Sequence, residues 1–93
     1  MHIRVVRFTD ASAERLETIK GRVESDGPPP GVEASGIKVL LDEEQGTAVV
    51  LQFFEDEEKM RASEAALEGM DPTDTPGTRA SVDRCEVIAG ADA

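Results

Sequence analysis

The stretch Ile37-Lys38-Val39-Leu40-Leu41-Asp42-Glu43-Glu44-Gln45-Gly46-Thr47-Ala48-Val49-Val50-Leu51-Gln52-Phe53-Phe54 decides the fold. Two runs rich in β-branched and aromatic residues flank an acidic segment ending in glycine, the pattern of two antiparallel strands joined by a turn. Residues 37–41 form one strand, 42–46 the turn and 47–54 the other. The second run is almost continuously apolar, with Gln52 as its one polar interruption. A strand of that kind is expected at the centre of a sheet with both faces covered.

Working outward, residues 2–8 (His2-Ile3-Arg4-Val5-Val6-Arg7-Phe8) read as a further strand, with apolar residues at both parities. Asp10 or Ser12 then caps a helix whose apolar positions Leu16, Ile19 and Val23 recur at helical spacing. From 24 to 36 the helical pattern stops, and Pro28, Pro29 and Pro30 hold a loop extended. Beyond the hairpin, Asp56 caps a second helix with Met60, Ser63, Leu67 and Met70 as its inward stripe and Glu57, Glu58, Glu64 and Glu68 facing outward. Gly69 and Asp71-Pro72 close it, a turn-rich stretch runs to Gly77, residues 79–88 make a fourth strand, and an Ala/Gly tail occupies 90–93.

The order is β-α-β-β-α-β, that of the α+β ferredoxin-like arrangement: a four-stranded antiparallel sheet with both helices on one face. At 93 residues the chain forms one small domain. Ile, Leu, Val and Phe supply only 21 of those residues, so the core is thin. If the first and third strands are apolar on both faces, the side away from the helices lacks a cover. A homodimer pairing two sheets face to face supplies it.

Charge and residue usage narrow the partners. Twenty acids against ten bases, with no Trp or Tyr, argue against nucleic acid and against an anionic membrane surface. No apolar run approaches a membrane span, and Arg4 and Arg7 interrupt the N-terminal apolar stretch, unlike a secretory signal, so a cytoplasmic location is expected. One cysteine and one histidine make neither an internal disulfide nor a zinc site, and the acids lack calcium-loop spacing, so no metal is expected.

Two quoted segments resemble a known family. The junction Phe54-Glu55-Asp56-Glu57-Glu58 leads into Lys59-Met60-Arg61-Ala62-Ser63-Glu64-Ala65-Ala66-Leu67. Further on, Gly77-Thr78-Arg79-Ala80-Ser81-Val82 is followed by Cys85-Glu86-Val87. This pattern, spread over nearly the whole chain, is similar to uncharacterised bacterial members of the dimeric α+β barrel proteins related to antibiotic biosynthesis monooxygenases. The resemblance implies a dimer with a small apolar cavity against each sheet. Some members oxidise aromatic polyketides without a cofactor and others cleave haem. The haem-degrading members use an Asn on strand one, a Trp ending strand three and a His on helix two. This chain has no Asn and no Trp, has Phe54 at the Trp position and has no His in its second helix, so haem degradation is not expected and no cofactor is implied.

The candidate ligand contacts are Gln52, Phe54, Arg4, Phe8 and Arg84. A buried amide such as Gln52 must find partners, either a ligand or a structural hydrogen bond, and Phe54 would supply the apolar wall beside it. Arginines inside strands, as Arg4, Arg7 and Arg84 are, must snorkel, pair with an acid such as Asp83 or Glu86, or bind an anion. His2 is the chain's one imidazole but sits beside the terminus, where it is expected to be exposed and idle. Cys85 reads as a small buried hydrophobe, since only His2 could activate it as a nucleophile. Three functions stand: a binder of a small apolar or aromatic molecule; what the resemblance implies, a cofactor-independent monooxygenase acting on an aromatic substrate, with Gln52, Arg4 or Arg84 polarising an oxygen; or an acidic interaction module using the exposed faces of both helices, with seven acids between Glu55 and Asp71.

Overall fold

A computed structural model describes residues 1–27, 31–68 and 77–91. Strand β1 (His2–Thr9) leads into helix α1 (Ala13–Asp26). Strands β2 (Gly36–Asp42) and β3 (Thr47–Phe54) form the hairpin, and helix α2 (Glu57–Glu68) precedes strand β4 (Thr78–Glu86). All strand pairs are antiparallel in the spatial order β2-β3-β1-β4. This is the ferredoxin-like α+β arrangement expected from the sequence, with β3 and β1 central.

Local chemistry fixes the element ends. In the hairpin turn, the Asp42 carboxylate accepts from the backbone N–H of Gln45 at 3.2 Å and from its side-chain amide at 2.7 Å, and Gly46 takes the positive φ of 68° that closes the turn. Ser12 caps α1 by accepting from the Arg15 N–H at 3.2 Å. The helix runs two residues past Glu24 because Gly27, at φ 67°, donates its N–H back to the Val23 carbonyl. Asp56 caps α2 through the Lys59 N–H at 2.8 Å, with Glu57 and Glu58 in the first turn opposing the positive end of the helix dipole. Strand β4 ends at Glu86, earlier than expected, and Ile88 lies beyond it, 85% exposed. Pro28, Pro29, Pro30, Gly69, Met70, Asp71, Pro72 and the last two residues of the tail lie outside the described residues.

The two parities of each strand meet different surroundings. On the helix side, β1 presents His2, Arg4, Val6 and Phe8 and β3 presents Ala48, Val50, Gln52 and Phe54. Under α1, Val6, Phe8, Ala11, Leu16, Ala48 and Val50 form one buried cluster, flanked by Ile19, Ile37, Val39 and Val82. Under α2, Phe54, Met60 and Leu67 form a second, against which Val32 and Ala34 pack. The buried Ser63 hydroxyl ties that connection to α2, accepting from the Glu33 N–H at 2.8 Å and donating to the Lys59 carbonyl at 2.9 Å.

The opposite side of the sheet carries Ile3, Val5, Val49, Leu51 and Phe53, all half-buried, with Leu40 exposed. Full burial of β1 and β3 on both faces is therefore not reached within one chain. Neighbouring strands shield these side chains from the flanks, and both helices lie on the other face.

Candidate functional site

The register brings Arg4 on β1 opposite Gln52 on β3 and opposite Arg84 on β4, while Ile37 of β2 sits opposite Gln52. These residues form one rung across the helix side of the sheet, polar over three of its four strands. The rung lies between the two apolar clusters: the next rung one way is Val6 with Val50, and the other way His2 with Phe54. A guanidinium at 3% exposure and an amide at 6% in such a place require partners. Arg4 donates to Gln52 Oε1 at 3.1 Å and to Glu68 Oε1 at 3.0 Å. Its Nε is buried with no hydrogen-bond partner among the described residues.

Helix α2 supplies the counter-charges. Glu64 and Glu68 stand four residues apart, hence on one helical face, with Glu68 over Arg4 and Glu64 bonded to Arg84. The second oxygen of Glu68 accepts from Arg79 at 3.1 Å. Three guanidiniums thus share two carboxylates. Burial pushes the Arg4 pKa below its ordinary value, offset in part by Glu68. Glu68 is held below the ordinary carboxylate range, first by the hydrogen bond from Arg79 and also by Arg4. Arg84 is raised by its hydrogen bond to Glu64.

Of the five ligand candidates, Arg4, Gln52 and Arg84 therefore meet in one rung. Phe54, fully buried, stands one rung away, and Phe8 is two rungs away inside the cluster under α1. Gln52 makes the hydrogen bond its burial demands, with Arg4. Sequence reasoning missed Glu64 and Glu68, which it assigned to the solvated face of the helix. The signal was present: each follows a buried position, Ser63 or Leu67, by one residue and so borders the inward stripe. Arg84 pairs with Glu64 rather than with a neighbour on its own strand, whereas Arg7 does meet Asp83, at 3.7 Å on the opposite face.

Two other expectations change. Cys85 is exposed, because its parity on the edge strand β4 turns it, with Ile3, away from the helices. His2 is half-buried rather than exposed, and its Nδ1 is buried with no partner among the described residues.

A separate groove of about 460 Å³ opens between α1 and β2. Ala13, Leu16, Val23, Ile37, Val39 and Leu41 give it an apolar floor, and Glu17, Lys20, Glu24, Lys38 and Glu43 form a charged rim. It exists because β2 is an edge strand and α1 buries only Leu16 fully, leaving Ile19 and Val23 half-covered.

No protein-family model, curated protein or solved structure matches this chain. Among the described residues no group of three or more His, Cys, Asp or Glu stands as a metal site requires, and no helix is long and apolar enough to cross a membrane.

Proposed function

We propose that this protein binds a small, largely apolar molecule against the helix side of its sheet, and that it does so as a homodimer of the dimeric α+β barrel kind. The observation that carries the binding reading is the groove between α1 and β2. Its volume of about 460 Å³ is within the range of small-molecule sites, and its floor of Leu16, Val23, Ile37, Val39 and Leu41 supplies the apolar contact such sites use. Charged rim residues on two elements then set which end of a ligand faces water.

The dimer reading is supported by the face opposite the helices. Ile3, Val5, Val49, Leu51, Phe53 and Leu40 make a contiguous apolar surface on a chain that is otherwise strongly acidic. Surfaces of this composition are covered by association, and a twofold axis lets the same strands cover one another.

Titration with the neutral dye Nile red tests the binding reading. The dye should brighten with the wild-type chain and fail to do so with Leu41→Glu, which places a charge on the groove floor at a position already 36% exposed and therefore tolerant of the change. Equal brightening in both proteins, or none in the wild type, rejects the groove as the site.

A further inference from the structure

The polar rung has more donors than the chain satisfies. A guanidinium carries five N–H groups; Arg4 uses one toward Gln52 and one toward Glu68, and its Nε–H, fully buried, has no partner among the described residues. Arg84 stands directly opposite Arg4 on the neighbouring strand and the same face, an arrangement of like charges that destabilises a sheet unless an anion is shared between them. Arg79 joins the group through Glu68. In a chain whose net charge is -10, these three arginines pair with two carboxylates among the described residues.

Glu68 is a poor permanent partner for this cluster. It is the last residue of α2, where the helix dipole disfavours an acid, and its side chain is 46% exposed while Arg4's is 4%. A carboxylate that bridges two guanidiniums from the solvent side, against its own helix dipole, occupies the position that a ligand carboxylate would take. The rung next to Arg4 on this side is His2 with Phe54, where the apolar cluster under α2 begins, so the seat lies at the edge of an apolar region.

We infer that Arg4, with Arg79 and Arg84, forms a receptor for the carboxylate of a small apolar acid, and that Glu68 occupies the seat as a displaceable internal anion. The inference is independent of the α1–β2 groove, which lies on the other cluster of the core. Planar guanidiniums recognise carboxylates by paired, charge-assisted hydrogen bonds, and the single carboxylate of Glu68 now held by Arg4 and Arg79 makes a monocarboxylate the matching ligand. Binding would engage the free Arg4 Nε–H and release Glu68 to water.

Benzoate is the probe, with benzamide as its neutral counterpart. The Arg4 Nε–H resonance is followed by ¹H–¹⁵N NMR and affinity by calorimetry. Benzoate should shift that resonance and benzamide should not. Glu68→Gln should tighten benzoate binding on the order of tenfold, the factor by which a seat nine-tenths occupied weakens apparent affinity. Arg84→Gln, at a half-exposed position that tolerates change, should weaken it several-fold. Glu57→Gln removes an equal charge beside Arg61 on the outer face of α2 and should leave affinity unchanged. The inference is overturned if benzoate leaves the Arg4 signal unmoved in both wild type and Glu68→Gln, if benzamide binds as well as benzoate, or if Glu57→Gln tightens binding as much as Glu68→Gln.

Discussion

Replacing the buried Arg4–Gln52 pair by apolar residues tests whether the rung is maintained for stability. In Arg4→Met, Gln52 Oε1 loses its 3.1 Å donor at a site only 6% exposed, and an unpaired buried amide costs about 1–3 kcal/mol. The loss of Glu68 as a partner adds little, because that carboxylate is half in water and keeps Arg79. In Gln52→Leu the guanidinium stays buried with Glu68 as its one remaining acceptor, a penalty of at least about 1–3 kcal/mol since the orphaned group is charged. Additivity would make the double variant about 2–6 kcal/mol less stable than wild type. It should instead come within about 1 kcal/mol of wild type or exceed it, because a buried ionic group exchanged for apolar side chains of similar volume is commonly neutral or stabilising. Urea unfolding of the four proteins at one concentration and pH 7, with m compared across the set, measures the cycle. For a domain of this size each kcal/mol moves the thermal midpoint by about 4–8 °C, so the effect is well resolved. A double variant as unstable as the sum of its singles would show that Arg4 and Gln52 do not act as one unit, and the reasoning fails.

Other consequences follow from the same geometry. Leu51→Glu, on the open face of the central strand β3, should convert the species of twice the chain mass expected in light scattering into one of single chain mass with unchanged circular dichroism; wild type already at single mass would refute the dimer. Ser63→Ala removes the acceptor of the Glu33 N–H inside the second cluster and should lower stability by about 1–3 kcal/mol in urea unfolding. Gly77→Ala places a methyl 2.2 Å from the Thr9 carbonyl oxygen, so β4 must shift from β1 and the thermal midpoint should fall more than for any surface substitution. Because Glu68 titrates lower folded than unfolded, its contribution is present above the ordinary carboxylate pKa and lost as pH falls through its lowered folded value. The stability gap between wild type and Glu68→Gln should therefore be largest near neutrality and close in acid, as measured by urea midpoints across that range.

The element order was legible because each signal was local. The nearly continuous apolar run at 47–54, the stripe Leu16, Ile19 and Val23, and the caps Ser12 and Asp56 each depend only on neighbouring residues, and these define β3, α1 and the start of α2. Parity also placed Gln52 and Phe54 on one face of their strand. What parity cannot give is register between strands: whether Arg84 or Glu86 stands opposite Arg4 depends on how β4 slides along β1, and a one-residue slip reverses its faces. The same uncertainty hid Cys85's exposure. Glu64 and Glu68 were misplaced because helical periodicity ranks positions by hydropathy, and a carboxylate beside the inward stripe counts as outward until the sheet beneath it is known to carry arginines.

The rung also bears on why the core is divided. Among the described residues the nine buried apolar ones, from Val6 to Leu67, form two separate clusters with the Arg4–Gln52 rung between them. A small domain that interrupts its own hydrophobic contact with a buried cation lowers its stability where stability is scarce. Local departures of this kind, in which a residue violates the pattern of its surroundings, concentrate where a chain binds or reacts rather than where it merely folds. The Arg4 Nε–H, partnerless among the described residues, marks such a departure: a purely structural arginine would be expected to satisfy it, whereas a receptor leaves it for its ligand. On this argument the stability recovered by the apolar double variant and the carboxylate affinity lost with it are two readings of the same design, and measuring both in one protein separates a binding site from an imperfect core.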